Sequence, residues 1–169
     1  MSTPTIWLSD KALAEMLREA SRAHPDETGG MLLGWSNPSR NESAIALATG
    51  PGPRAVHRPT SFNLDGEWQQ EQLDLVYLRT EGRLTFLGDW HVHPSGGLGL
   101  SRRDRRTLAL TARDSGARCP SPLSVLLARR SDAYELAAWR WTPSRWPLGG
   151  QPSEVQVKRW RIRTEDRHW

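Results

Sequence analysis

The sequence predicts an α/β protein: a mixed β-sheet flanked by helices in layers. Three observations predict it. Helical and extended apolar patterns alternate along the chain, in the rough order α, β, β, α, β, α, β, β. At 169 residues, the length suits one domain with a core of its own. Composition is ordinary for a globular chain, with 37% apolar and 25% charged residues.

The elements follow in order. Ser9 to about Ala23 reads as the first helix, with Ser9 as N-cap and a stripe of Leu13, Met16, Leu17 and Ala20. Pro25 and Gly29-Gly30 end it. Met31 to Trp35 and Ser43 to Thr49 read as strands joined at Asn37-Pro38-Ser39, a hairpin. Gly50 to Pro53 is a rigid loop, and Arg54 to Asp65 is extended and irregular. Gly66 to Arg79 is a second helix, with Trp68, Leu73, Val76 and Tyr77 as its apolar set. Leu84 to His93 is a strand stopped by Pro94, and a glycine-rich loop follows. Ser101 to Asp114 is a third helix. Ser124 to Arg129 and Tyr134 to Trp141 are strands joined by a turn at Arg130-Ser131-Asp132. Residues 1–142 are expected to form the main domain. Residues 143–169 read as a Pro/Gly/Trp-rich linker and a basic tail or edge strand, with Val155, Val157, Trp160 and Ile162.

Several classes are excluded. The apolar runs are too short to span a bilayer as a helix, and Met1 to Asp10 lacks the form of a secretory signal. A single cysteine, Cys119, forbids an intrachain disulfide and Cys-rich zinc ribbons, and suggests the cytoplasm. Cys119 before Pro120 reads as a packed small residue rather than a nucleophile. Of 23 basic residues only Lys11 and Lys158 are lysine, and the net charge is +4. So small an excess does not by itself point to nucleic acid. Trp160 and Trp169 among Lys158, Arg159, Arg161, Arg163 and Arg167 could stack on bases, but Glu154, Glu165 and Asp166 dilute that patch.

Chemistry concentrates in Gly88-Asp89-Trp90-His91-Val92-His93-Pro94 and Ser101-Arg102-Arg103-Asp104. Side chains at i and i+2 of a strand share a face, so His91 and His93 project together. Asp104 sits in the first turn of the next helix, where its carboxylate can face the same point. Two imidazoles and a carboxylate leave an open position, the catalytic arrangement for a metal. Asp89 shares their parity and could accept an imidazole N–H from behind. Glu27, far upstream, is a candidate base, and Ser101 a candidate hydroxyl donor to an oxyanion. Each part alone has a plainer reading. His-x-His on a strand is a weak metal signal, Ser101-x-x-Asp104 is a capping box, and Glu27 is an acid before a turn. For Asp104 the capping and metal readings compete for its oxygens. His57 reads as a loop histidine bonded to a partner. A zinc deaminase would need Pro-Cys-x-x-Cys, which one cysteine cannot supply.

The joint spacing is the specific signal: Glu27-Thr28-Gly29-Gly30, then His91-x-His93-Pro94, seven residues to Ser101, and two more to Asp104. It resembles the JAMM (JAB1/MPN/Mov34) metalloprotease signature over roughly residues 6 to 141. Thr49 to His57, Ser61-Phe62-x-x-Asp65 and Leu87 to Pro94 narrow the resemblance to the prokaryotic JAB branch, although Asp89 stands where relatives often carry Glu. The resemblance implies a JAB/MPN-like, cytidine-deaminase-like fold. It implies one Zn²⁺ held by His91, His93 and Asp104, with Glu27 as general acid/base and Ser101 on the oxyanion. It also implies cleavage after the C-terminal glycine of a ubiquitin-like protein, with E1-like or E2-like operon partners and antiphage systems as context. Two alternatives stay open: processing of a thiocarboxylate sulfur carrier, and a non-catalytic MPN-type binding module.

Overall fold

The computed structural model describes residues 4–144 and 149–160. It is a mixed α/β protein whose sheet closes on itself. Among the described residues, nine strands and three α-helices run in the order β1 (Thr5–Ser9), α1 (Asp10–Ala23), β2 (Gly29–Asn37), β3 (Glu42–Ala48), β4 (Val56–Arg58), β5 (Ser61–Asn63), α2 (Gly66–Arg79), β6 (Thr85–His93), α3 (Arg102–Arg113), β7 (Leu123–Arg130), β8 (Ala133–Pro143) and β9 (Gly150–Trp160). The large sheet has the order β1-β3-β2-β6-β7-β8-β9, and β1 pairs parallel to both β3 and β9. β4 and β5 form a separate two-stranded hairpin.

Local chemistry explains most boundaries. The Ser9 hydroxyl accepts from the Ala12 N–H, and Ala12, Leu13, Met16 and Ala20 bury one stripe of α1. That stripe packs on Ile6, Leu8, Leu32, Ile45, Trp90, Val92, Val125 and Leu127, the main core. A smaller core joins α3 to the other face of the sheet through Leu100, Leu108, Leu126 and Trp141. Asp65 caps α2 by accepting from the Trp68 N–H, and Arg54 grips the same carboxylate.

Three expectations differ from what is seen. β1 was not expected; it is five residues long, and its partners lie at Glu42–Ile45 and Gln156–Trp160, out of reach of any local pattern. The segment expected as a loose tail or edge strand is, over Gly150–Trp160, paired on both sides, to β8 and to β1. Closure of the sheet removes the edge. α2 has the expected bounds, but its apolar face is only partly covered: Tyr77 is 51% and Leu78 75% exposed, and Gln69 is its buried residue. Ile162 and the cationic Trp169 end of the chain lie outside the described residues.

Candidate metal centre

The site begins with a slip in strand pairing. β2 and β6 run antiparallel, with Leu32 opposite Gly88 and Leu33 opposite Phe86, so Leu87 is an extra residue. Gly88 takes φ +142°, and a Cβ there would lie 2.0 Å from the Leu123 carbonyl oxygen, so only glycine fits the bulge. Leu87 thereby joins Trp90 and Val92 in the main core. Asp89, His91 and His93 then face the α3 side together.

The same pairing brings in Glu27. Gly29 lies opposite His91, and the Val92 N–H donates to the Thr28 carbonyl at 2.9 Å, so continuing the register sets Glu27 across from His93. The approach is close: a Cβ on Gly29 would meet the Trp90 carbonyl oxygen at 2.2 Å and the Phe62 ring at 2.6 Å. The β4–β5 hairpin ties Glu27 down at both backbone groups. The Glu27 N–H donates to the Arg58 carbonyl at 2.8 Å, and His57 Nδ1 lies 2.9 Å from the Glu27 carbonyl oxygen.

His91, His93 and Asp104 offer three ligand atoms within 4.8 Å of one another. His91 Nε2 lies 3.3 Å from Asp104 Oδ1, and His93 Nε2 lies 3.5 Å from Asp104 Oδ2. Ligands about 2.0–2.1 Å from a tetrahedral metal stand about 3.3–3.4 Å apart, so these separations suit one ion. The orphaned atom agrees: His91 Nε2 is buried and has no hydrogen-bond partner. An unsatisfied buried nitrogen is costly unless something fills its lone pair. His93 Nδ1 bonds the Gly97 carbonyl at 3.0 Å, which makes it the N–H and leaves Nε2 bare toward Asp104. Behind His91, Nδ1 faces Asp89 Oδ1 at 3.5 Å, and the Ser124 hydroxyl donates to that oxygen at 2.7 Å.

The rival readings of Asp104 are reconciled. Asp104 Oδ2 accepts from the Ser101 N–H at 2.7 Å, and the Ser101 hydroxyl accepts from the Asp104 N–H at 3.2 Å, a full capping box. Oδ1 is left to His91, so one carboxylate caps the helix and faces the imidazoles. The Ser101 hydroxyl proton is not used by the cap and stays free to be donated.

Electrostatics follow the geometry. Burial disfavours a charged His91, but the Asp104 and Asp89 carboxylates outweigh it and push His91 up to about 9. The Asp104 carboxylate raises His93 as well, against some burial. Burial alone would lift Asp104, yet the two imidazoles hold it well below the usual carboxylate range. Burial lifts Glu27 above its ordinary value, opposed by His93 and His91. A cation bound here would compete with protons for the same ligand atoms.

A cavity of about 330 Å³ opens on these groups, lined by Glu27, Asp89, His91 and Asp104 and by Phe62, Asn63, Leu64, Arg103 and Thr107. The structure therefore brings together Glu27, His91, His93, Asp104 and Asp89, with Ser101 joined to Asp104. Sequence reasoning missed the second set of lining residues. Helical spacing was a signal for Arg103 and Thr107, which share a face with Asp104 at i, i+1 and i+4. Phe62 stood in the Ser61-Phe62-x-x-Asp65 motif, but nothing local placed it at the site, where its ring centroid lies 6.3 Å from that of His91.

Comparison with known proteins agrees. Residues 9–142 match the family model described as prokaryotic homologs of the JAB domain. A protein of Sinorhizobium fredii named "Probable metalloprotease y4qB" is 38% identical over 137 residues, covering 79% of this chain and 82% of that one. A protein of Enterobacter hormaechei named "CD-NTase/cGAS isopeptidase" is 29% identical over 136 residues, covering 79% and 73%. The solution structure of a Desulfitobacterium hafniense protein shares the fold, with a TM-score of 0.68 at 21% identity, covering 97% and 98%. With the family matched across the whole site, the chain belongs to the prokaryotic JAB branch of the JAMM metalloproteases and is a hydrolase.

Proposed function

We propose that this hydrolase is a zinc-dependent isopeptidase or peptidase. It cleaves after the C-terminal glycine of a ubiquitin-like protein, either to remove a conjugate or to process a precursor. The observation that carries the reading is one cavity lined by His91 with its orphaned nitrogen, by Asp104 and by a half-buried Glu27, with His93 Nε2 3.5 Å from the Asp104 carboxylate. His91, His93 and Asp104 hold the ion, and an imidazole–imidazole–carboxylate set suits zinc. When bound, zinc supplies Lewis acidity for a water and for the scissile carbonyl. Glu27 takes a proton from the attacking water and delivers it to the leaving amine as the C–N bond breaks. Burial raises its pKa, the direction that favours a group able to take up and release a proton. Ser101 donates its free hydroxyl proton to the carbonyl oxygen as negative charge builds. Asp89 orients His91 through Nδ1. Phe62 and Leu64 cover the cavity with apolar surface, which suits a small glycine-ended tail.

The isopeptidase name of the Enterobacter relative supports cleavage of an isopeptide bond. On the family resemblance we place the chain in an antiphage or ubiquitin-like pathway, with E1-like or E2-like proteins as operon partners. We assign the chemistry to residues 1–142, acting in the cytoplasm. Among the described residues, no helix is long and apolar enough to cross a membrane.

The test uses a bacterial ubiquitin-like protein fused through its C-terminal glycine to a fluorescent reporter. Wild-type protein binds close to one zinc per chain and releases the reporter, and a chelator stops it. Glu27→Gln keeps its zinc and loses about 10²–10⁴ in kcat. A zinc-loaded Glu27→Gln protein that cleaves at the wild-type rate overturns the role of Glu27.

A further inference from the structure

The first turns of α3 read Arg102-Arg103-Asp104-Arg105-Arg106, and all four arginines are exposed. This is an unfavourable place for cations. The helix N-terminus already carries partial positive charge, and Arg102–Arg105, Arg103–Arg106 and Arg102–Arg106 are like-charge neighbours at i, i+3 or i, i+4. The one carboxylate of the segment, Asp104, is turned inward to His91 and His93. Among the described residues, no carboxylate pairs with any of the four guanidiniums; Arg105 donates to the Leu100 carbonyl instead. Elsewhere the fold pairs such groups, as in Arg18 with Glu15, Arg54 with Asp65 and Arg130 with Glu135. The patch is also continuous with the metal centre, because Arg103 lines the cavity beside Glu27 and Asp104.

We propose that Arg102, Arg103, Arg105 and Arg106 form a docking surface for an acidic segment of the protein substrate, leading it to the cavity. This rests on the peptidase reading above and adds the charge of the substrate to it. Protein fits better than nucleic acid. The helix and the loop before it, residues 94–113, carry no aromatic side chain on which a base could stack. The cations cover little more than one helical turn, not a stripe that would track a phosphate backbone. An acidic peptide needs only such a compact patch, and complementary charge speeds and orients its arrival.

Fluorescence anisotropy tests this on full-length protein. The probes are a labelled peptide of alternating glutamate and glycine, its glutamine counterpart, and an oligothymidine of matched charge. The glutamate peptide is expected to bind, with affinity falling as salt rises, and the glutamine peptide is not. Arg102→Gln, Arg105→Gln and Arg106→Gln together weaken that binding by about 10-fold or more. A control with the same loss of charge, Arg22→Gln, Arg79→Gln and Arg130→Gln, leaves it within about 2-fold. The α3 variant folds at least as well as wild type in a thermal melt, since its helix has lost opposing charge. Equal weakening in both variants overturns the proposal, as does equal binding of the glutamine peptide. Tighter binding of the oligothymidine than of the glutamate peptide assigns the surface to nucleic acid and also overturns it. No turnover is involved, so failure here leaves the peptidase reading standing, and failure of reporter cleavage leaves the binding result intact.

Discussion

Asp104→Asn separates the two jobs of one side chain. An asparagine oxygen can still accept from the Ser101 N–H, now at 2.7 Å, so the capping box survives in form. What is lost is the anion facing His91 Nε2 and His93 Nε2. Suppose zinc is supplied at 100 times the wild-type Kd. The folded state then gains about 2.7 kcal/mol from the metal, a rise of about 5–11 °C in Tm for a chain of this size. Loss of a charged ligand weakens binding at least as much as loss of its outer partners, about 100-fold. At the same zinc concentration the gain drops to about 0.4 kcal/mol, or about 1 °C. Ser101→Ala makes the complementary change. It removes the acceptor for the Asp104 N–H and costs about 1 kcal/mol with or without zinc, while the zinc-induced rise stays near that of wild type. The assay is a thermal melt of each protein in zinc and in chelator. An undiminished zinc-induced rise in Asp104→Asn refutes the ligand assignment. A rise lost equally in Ser101→Ala refutes the separation of helix capping from metal binding.

Two more outcomes follow from the hairpin beside the site. His57→Ala removes the side chain 2.9 Å from the Glu27 carbonyl oxygen; kcat on the reporter fusion falls by about 10-fold while zinc content and KM hold, and an unchanged kcat excludes His57 from positioning Glu27. Arg54 holds the Asp65 carboxyl below its ordinary value, so this pair contributes stability above the unfolded pKa of about 3.9 that is lost as pH falls through the lower, folded value. Urea melts across that acid range should show wild type losing stability faster than Arg54→Met, and parallel curves would remove the pair as the cause.

Much of this protein can be read without coordinates. Helix α2 over Gly66–Arg79, the α1 stripe and the shared face of His91 and His93 rest on caps and periodicities that span a few residues. Local sterics set those, so a linear pattern carries them. The joint spacing of Glu27, His91, His93, Ser101 and Asp104 likewise stands in the chain as written. What the tertiary structure alone decided is who meets whom. β1 exists because Ile6 finds Ser43 on one side and Val157 on the other, contacts whose entropic cost no local pattern records. Glu27 reaches His93 only through the Gly29–His91 register and the bulge at Leu87–Gly88. Phe62 arrives over His91 on a hairpin whose own pattern is featureless. Asp104 could be seen in advance as cap or ligand; only the placed helix shows that Oδ2 can accept from the Ser101 N–H while the same carboxylate faces both imidazoles, so that it can be both.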